Sequence, residues 1–233
     1  MIHNQLKNQV IGVDVNVHNT TCAVVDVRGN ILGQSSFVTG NYEFIGDFVS
    51  VLSEHIMRLA EEHGGYESIR SVGISIPSGN FRTGCIENAP NLPWKGVVPL
   101  AAMLRDQLGL AVALANNAYV MALGEQAYGA AHGMRDFILI SLGSGMGSCI
   151  CCNGVAHLGS DGFAGEIGHA CVNPNGRECG CGKHGCLETY TAARGIVQTA
   201  KELMAESSEP SKMRQMEELT PAMITELCGR ILR

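Results

Sequence analysis

The sequence predicts an α/β protein with a mixed β-sheet. Three strand-like segments open the chain, and helical segments then alternate with strands, a pattern typical of this class. The segments Val10–Val15, Cys22–Val27 and Ile31–Val38 are rich in β-branched residues, and Arg28-Gly29-Asn30 supplies a turn. The chain has 233 residues, of which 45 % are hydrophobic and 16 % charged. This composition fits a globular protein of one large or two smaller domains.

The middle of the chain alternates between helix and strand signals. Apolar residues recur at three- and four-residue spacing from Phe44 to Leu59, which predicts a helix that ends near Gly64. The segment from Pro77 to Pro99 is rich in Pro, Gly and Asn and predicts a loop with one short strand. The other predicted elements here are strand Ser71–Ile76, helix Leu100–Leu108, strand Ala111–Ala115 and helix Asn117–Ala131.

The second half opens with an apolar strand at Phe137–Leu142 and a hairpin. The hairpin strands are Met146–Cys152 and Val155–Leu158, and Asn153-Gly154 between them favours a type I′ turn. A helix is predicted from about Leu187 to Met204, and Thr220-Pro221 favours a last helix start. A domain boundary between 117 and 118 is expected.

Composition indicates a location and excludes some partners. The net charge is −6 with no basic stripe, which argues against nucleic acid as the main partner. We find no signal-peptide pattern and no apolar run of the roughly 18 residues that a membrane span needs. Most of the ten cysteines lie in apolar, strand-like runs, as buried hydrophobes do. We therefore expect a cytoplasmic protein that binds neither nucleic acid nor membrane.

The densest group of potential ligands lies in one short run. His169, Cys179, Cys181 and Cys186 supply one imidazole and three thiols within 18 residues, and Cys3His is a standard set for structural Zn²⁺. The glycines between them, Gly180, Gly182 and Gly185, permit the tight turns that such a loop needs. A disulfide pair or unliganded thiols are the alternatives, but a cytosolic chain favours zinc.

Two carboxylates flank the proposed zinc loop. Glu166 precedes His169 by three residues, and Glu188 follows the last cysteine by two. If His169 gives one ring nitrogen to zinc, the other needs a hydrogen-bond partner, and a sugar hydroxyl would serve. Glu166 could accept from the same ligand. The alternative is that both carboxylates are solvated surface groups.

Two further features could bind phosphate or Mg²⁺. The turn Gly143-Ser144-Gly145-Met146-Gly147 follows an apolar strand, and its successive N–H groups could form an anion-binding nest. Glycine-rich hairpins are common, so this signal is weak alone. Asp14 lies near the end of the first strand and could hold Mg²⁺ through water, although a turn cap is the simpler reading.

The order of these motifs resembles the ROK family of bacterial sugar kinases and sugar-responsive repressors. The family motifs are D-x-G-G-T, N-D-A, G-T-G-x-G, E-x-G-H and C-x-C-G-x-x-G-C-x-E. They match the segments beginning at Asp14, Asn116, Gly143, Glu166 and Cys179. The segment Asn91–Trp94 also resembles glucokinase-type members. The likeness extends from about residue 10 to the end of the chain.

The resemblance implies an actin-like fold in which two RNase H-like domains flank a cleft. These would be residues 1–117 and 118–233, the second carrying the zinc loop at 169–186. The resemblance also implies ATP-dependent phosphorylation of the 6-hydroxyl of a hexose, either glucose or an N-acetylhexosamine. The implied sugar contacts are Asn80, Asn116, Glu166, His169 and Glu188. ATP and Mg²⁺ would lie at Asp14, Gly143, Ser144, Gly145 and Gly147.

Three departures from the family pattern predict impaired activity. The catalytic base position is Asn117 rather than Asp, and a carboxamide does not accept a proton near neutral pH. The first phosphate turn reads Asn16-Val17-His18 instead of Gly-Gly-Thr, and β-branched Val17 disfavours positive φ. Family members extend past residue 233, so a C-terminal truncation and an incomplete second domain are expected. A non-catalytic sugar-binding or sensing protein and an unstable fragment are the alternatives, and a homodimer is also expected.

Overall fold

The computed structural model describes residues 7–229, and the chain divides into two compact units. Unit 1 comprises the described residues up to Phe137 together with Cys151–Ala164, and unit 2 comprises Ile138–Ile150 and the described residues from Gly165 onward. The strands are β1 (Gln9–Val15), β2 (Asn19–Asp26), β3 (Ile31–Val38), β4 (Ile69–Ser75), β5 (Gly79–Asn80), β6 (Cys85–Glu87), β7 (Val97–Val98), β8 (Ala111–Ala115), β9 (Phe137–Leu142), β10 (Met146–Cys152) and β11 (Val155–Ala156). The α-helices are α1 (Ile45–Glu62), α2 (Leu100–Leu108), α3 (Asn117–Tyr128), α4 (Glu188–Thr191), α5 (Ala193–Glu206) and α6 (Pro221–Gly229).

A five-stranded mixed sheet organises unit 1, in the order β3-β2-β1-β4-β8. The first three strands pair antiparallel, while β1 with β4 and β4 with β8 pair parallel. In the register, Asp14 lies opposite Ser75, and Ser75 lies opposite Ala115. The carboxyl ends of three parallel strands therefore meet at one edge, where ligands bind in open α/β sheets.

The core of unit 1 lies between this sheet and α1. Ile11, Val13 and Val15 alternate along β1 on the buried face, as the period of a strand requires. On α1 the buried residues recur at helical spacing and include Phe48 and Leu52. Each fully buried side chain of this size contributes about 1.5–3 kcal/mol. This core fixes the strand ends in place.

The segment from Pro77 to Pro99 is more ordered than predicted. It contains three short strands, β5, β6 and β7, paired antiparallel in a small sheet, where the sequence predicts one. Asn88 adopts φ 52°, which Asn tolerates, and so allows the tight turn after β6. Trp94 anchors the segment by packing on Phe48 with ring centroids 4.3 Å apart.

The Asn153-Gly154 turn is confirmed as the predicted hairpin turn. Both residues have positive φ, 54° and 81°, as a type I′ turn requires. Cys152 pairs with Val155 on either side of it. The strand β11 ends at Ala156 rather than at Leu158 as predicted, and the carbonyl of Leu158 instead accepts from the N–H of Ala164.

The single helix predicted over 187–204 is two helices, α4 and α5. Ala192 between them is extended, with φ −73° and ψ 166°, and the N–H of Ala193 donates to the Gly143 carbonyl. A Cβ at Gly195 would lie 2.5 Å from the Thr189 carbonyl oxygen, so glycine is needed for this close turn.

The last helix begins as predicted. The hydroxyl of Thr220 accepts from the N–H of Met223.

Within residues 7–229, none of the helices has both the length and the hydropathy needed to cross a membrane. The two compact units follow from the packing of the structure. The boundary expected between residues 117 and 118 is instead that of the two RNase H-like domains of the family, and it stays a prediction.

Candidate functional site

The base position, Asn117, is a hydrogen-bond donor in unit 1. It is the first residue of α3, two residues beyond the end of β8. Its Nδ2 donates to the Ser75 Oγ at 2.9 Å and to the Asp14 Oδ1 at 3.3 Å. The Ser75 hydroxyl itself donates to the Asp14 Oδ1 at 2.8 Å. The amide must face Asp14 with its nitrogen, because the opposite orientation would set two oxygen acceptors against each other.

The first phosphate turn is closed by its own side chain. Asn16 Oδ1 accepts from the N–H of His18 at 3.0 Å and from that of Asn19 at 2.9 Å, forming an Asx turn. The N–H of Asn16 donates to the Asn19 carbonyl at 3.0 Å. Neither Asn16 nor Val17 has positive φ. Three backbone N–H groups that could face an anion therefore point into the turn.

Two further asparagines predicted to bind sugar have structural partners in unit 1. Asn80 is buried; its Nδ2 donates to the Asp161 carbonyl at 2.9 Å, and its Oδ1 accepts from the N–H of Arg82. Asn116 caps α3, its Oδ1 accepting from the N–H of Ala118 at 2.9 Å. An asparagine amide has two donor hydrogens and two acceptor lone pairs, so each keeps capacity for a ligand.

The four predicted metal ligands converge in unit 2. The ligand atoms of His169, Cys179, Cys181 and Cys186 all lie within 4.8 Å of one another. The Cys179 Sγ lies 3.6 Å from the His169 Nδ1, and the Cys181 Sγ lies 3.7 Å from the Cys186 Sγ. At normal Zn–S and Zn–N lengths, a tetrahedral site has S···S edges of about 3.8 Å and S···N edges of about 3.6 Å. These two edges therefore have the lengths that zinc coordination requires, and the group could hold a metal ion.

The electrostatics of this cluster also favour a cation. Burial raises the pKa of the Cys186 thiol, and the neighbouring Cys179 and Cys181 raise it further. Three converging thiols cannot all ionise without a positive charge between them, whereas a bound metal deprotonates a coordinating thiol. Since Nδ1 of His169 faces the sulfurs, its Nε2 is the nitrogen left for a second partner.

Glu188 connects the metal loop to the glycine turn in unit 2. Its Oε2 accepts from the N–H of Met146 at 2.7 Å. A Cβ at Gly145 would lie 2.6 Å from the same oxygen, so a larger residue there would displace the carboxylate. The Gly143 N–H donates to the Gly145 carbonyl at 2.9 Å. The turn that includes Ser144 and Gly147 is therefore positioned by Glu188.

Glu166 lies in unit 2 within electrostatic range of His169 and of a second carboxylate, Glu188. Burial raises its pKa, His169 opposes the shift, and the negative charge of Glu188 adds to it. A partly desolvated carboxylate near a second one is a strong acceptor for hydroxyl groups. Unit 2 thus brings Glu166, His169 and Glu188 into one electrostatic group.

Arg177, which the sequence did not single out, anchors the metal loop. Its Nη1 donates to the carbonyls of Thr189 at 2.7 Å and Gly195 at 3.1 Å. Its guanidinium lies 4.6 Å from the Tyr190 ring centroid and pairs with Glu202. The arginine is the first of two cationic residues within the loop, and only the fold shows that it faces inward.

Comparison with known proteins adds three close likenesses. A glucokinase of Halalkalibacterium halodurans is 34 % identical over 202 residues, or 85 % of this chain and 61 % of that protein. The structure of a ROK family glucokinase from Streptomyces griseus, in complex with glucose and AMPPNP, has a TM-score of 0.72 and 32 % identity, covering 85 % of this chain and 62 % of that one. The structure of a ROK family transcriptional regulator, a homologue of the E. coli MLC protein, has a TM-score of 0.83 and 25 % identity. The match covers 97 % of this chain and 57 % of that one.

The fold is therefore that of the actin-like ATPase class, and the predicted fold class is confirmed. Within that class the chain belongs to the ROK family, whose sequence profile matches residues 10–230. The family includes glucokinases and transcriptional regulators. The chain spans about three fifths of the length of the curated glucokinases that it matches.

Proposed function

We propose that this chain binds a hexose and that its ATP-dependent phosphorylation of the sugar 6-hydroxyl is impaired. Glu166, His169 and Glu188 would bind sugar hydroxyls, with Asn80 and Asn116 as further contacts. The observation that carries the proposal is that Asn117, at the position of the family's base, donates hydrogen bonds to Asp14 and Ser75. A general base must instead accept the proton of the nucleophile.

The nucleotide side supports the same conclusion. Asp14, Gly143, Ser144, Gly145 and Gly147 are the proposed contacts for ATP and Mg²⁺. The Asp14 Oδ1 already accepts two hydrogen bonds, and the Asn16 side chain occupies the N–H groups of the first turn. Phosphoryl transfer depends mainly on positioning and charge stabilisation, so fewer available donors should lower the rate.

We also propose a structural Zn²⁺ held by His169, Cys179, Cys181 and Cys186. Two of the distances within the cluster match the edges of a tetrahedral zinc site, and all four ligand atoms lie within 4.8 Å of one another. The ion would supply a fixed positive charge that keeps the thiols ionised, while the loop orients His169 and Glu188. A cytoplasmic location and a homodimer stay predictions.

The test is ADP release with Mg-ATP over a panel of hexoses, using four proteins. These are the native chain, Asn117→Asp, a turn variant with Asn16→Gly, Val17→Gly and His18→Thr, and the combination. We expect Asn117→Asp to raise turnover at least about tenfold, because a general base contributes about 10²- to 10⁴-fold. The turn variant should lower the KM for ATP, and the combination should be fastest.

A matched control separates the base from the added charge. Asn41→Asp places the same charge at an exposed position of unit 1, and its turnover should equal that of the native chain. Equal turnover in the native chain and Asn117→Asp, with ADP release measurable in both, would contradict the assignment of position 117.

A second candidate is sugar binding or sensing without catalysis. The regulator of TM-score 0.83 favours it, since that relative is a transcriptional regulator rather than a kinase. A binder gains thermal stability with its sugar alone, by about 2.7 kcal/mol at a hundred times the Kd. A melting-temperature shift with a hexose, together with no ADP release from any of the four proteins, would favour this candidate over the first.

A further inference from the structure

Cys171 lies across the backbone from one of the proposed metal ligands. It is exposed, and it forms an isolated antiparallel bridge with the buried Cys186. The bridge is framed by two backbone hydrogen bonds, from the N–H of Val172 to the Gly185 carbonyl at 2.8 Å and from the N–H of Leu187 to the Ala170 carbonyl at 2.9 Å. Cys171 is not one of the four converging ligands.

This hydrogen-bond pattern determines how far apart the two cysteines lie and to which face of the ladder they project. Because the bonds flank the pair, Cys171 and Cys186 form a non-hydrogen-bonded antiparallel pair, whose Cα atoms are about 4.5 Å apart. Residues directly opposite each other project to the same face of the ladder. A disulfide requires Cα atoms about 4.4–6.8 Å apart, so these two cysteines can be joined with little backbone movement.

We propose that Cys171 is an oxidation site that, through a disulfide with Cys186, removes a ligand from the metal cluster. The oxidant is a peroxide, such as hydrogen peroxide. The inference rests on the proposed zinc site for its consequence, the release of the ion. The disulfide itself depends only on the position of the two cysteines.

The chemistry balances in two steps. The Cys171 thiolate attacks one oxygen of hydrogen peroxide, the O–O bond breaks, and the hydroxide that leaves takes the proton lost by the thiol, so sulfenic acid and one water form. The Cys186 sulfur then attacks the Cys171 sulfur and the S–O bond breaks. The hydroxide that leaves forms a second water with a proton from the Cys186 thiol, or from solvent where a metal holds the thiolate. The two cysteines have lost two electrons to one peroxide. A bound metal would keep only His169, Cys179 and Cys181 as protein ligands.

Cys181 is the competing site. It is also exposed, and its Sγ lies 3.7 Å from the Cys186 Sγ. In the zinc-loaded protein, however, Cys181 would already be a metal ligand, and its sulfur would have to leave the ion before pairing. Cys171 is exposed and outside the cluster, so it can react while the ion is in place.

The experiment treats the zinc-loaded chain with equimolar hydrogen peroxide in the presence of a chromogenic zinc chelator. Disulfides are then mapped by mass spectrometry without reduction. The native chain, Cys171→Ser and Cys152→Ser are compared, Cys152 being an exposed cysteine in unit 1. We expect a Cys171–Cys186 disulfide in the native chain and in Cys152→Ser, with zinc release reversed by dithiothreitol. Cys171→Ser should release zinc about tenfold more slowly.

Two outcomes would overturn the proposal. One is a Cys181–Cys186 disulfide in the native chain, and the other is equally fast zinc release from Cys171→Ser. A metal-free sample, prepared with chelator and treated with the same peroxide, separates a failure of the oxidation-site proposal from a failure of the zinc proposal. A chain that binds no zinc yet forms the Cys171–Cys186 disulfide would refute the metal proposal and retain the oxidation site.

Discussion

The first turn of unit 1 and the metal loop of unit 2 use their polar groups in opposite ways. In the first turn, Asn16 takes up the N–H groups of His18 and Asn19 with its own side chain. In the metal loop, three cysteines and His169 direct their ligand atoms toward one another. The first arrangement is complete without a ligand, whereas the second brings together four groups that could hold one metal ion.

This difference bears on how a turn can do without an anion and keep its fold. A turn that binds an anion leaves its N–H groups to water until the anion arrives. In the exposed first turn, the Asn16 side chain takes the place of an anion for the N–H groups of His18 and Asn19. In the metal loop, a bound cation would let all three thiols ionise. Four substitutions would test and sharpen the contrast.

The largest expected effect is at the metal loop. Cys181→Ser removes one of four ligands and should lower zinc affinity by at least about 100-fold, since changes even to outer groups of metal sites cost about 10- to 100-fold. Sugar affinity should fall with it, because the loop orients His169 and Glu188. Zinc content by atomic absorption and hexose binding by calorimetry check both, and unchanged zinc stoichiometry would contradict the ligand assignment.

The next effect concerns the anchor of the same loop. Arg177→Met should destabilise the chain by about 3 kcal/mol, because two carbonyls lose a charged donor. Arg105, which is exposed and pairs with Asp106, is the matched control, and Arg105→Met should change the stability by no more than about 0.5 kcal/mol. Urea unfolding measures both. Equal losses would show that the buried contacts of Arg177 contribute little.

A smaller effect is expected at Asn117, whose side-chain amide already has hydrogen-bond partners within unit 1. Asn117→Asp removes the donor to Ser75 and sets a second carboxylate against Asp14, so it should destabilise by about 1–2 kcal/mol. Mg²⁺ should recover part of this loss by bridging the two carboxylates. Thermal unfolding of Asn117→Asp with and without Mg²⁺ tests this prediction, with Asn41→Asp as the control for the added charge. A stability unaffected by the substitution would mean that the network is not a closed unit.

The smallest effect depends on pH. The hydrogen bond from Arg177 holds the pKa of Glu202 below its usual value of 4.5, and Gln198 contributes further. A depressed carboxyl pKa stabilises the folded state above the usual pKa and loses that effect as pH falls through the folded value. Glu202→Gln should therefore lower the melting temperature slightly at pH 7 and not at about pH 3. Glu206→Gln, an exposed change on the same helix, should show no such pH dependence.

Much of the fold follows from local sequence signals. The elements β3, α2, β8 and β9 begin and end at the predicted residues, because Gly, Pro or Asn borders each of them on at least one side. The type I′ turn also follows from two residues alone. The helix over 187–204 was wrong because its break comes from a close approach to Thr189, which no local pattern reveals.

The candidate site was predictable where its residues are close in sequence. The four candidate metal ligands lie in one run, so their spacing suggested them, and the structure brings their ligand atoms within 4.8 Å of one another. Ser75 was missed because its link to Asp14 depends on the register of β1 and β4, although the meeting of parallel strand ends could have suggested it. Arg177 was missed because a charged residue in a polar loop has no sequence signal for burial.

The closed turn at Asn16 has an evolutionary consequence. Only a change at Asn16 removes the side-chain oxygen that accepts from the N–H groups of His18 and Asn19. Changes at Val17 or His18 alone leave the turn closed. A chain that is to bind phosphate at this turn must therefore change Asn16 itself, whatever else it changes.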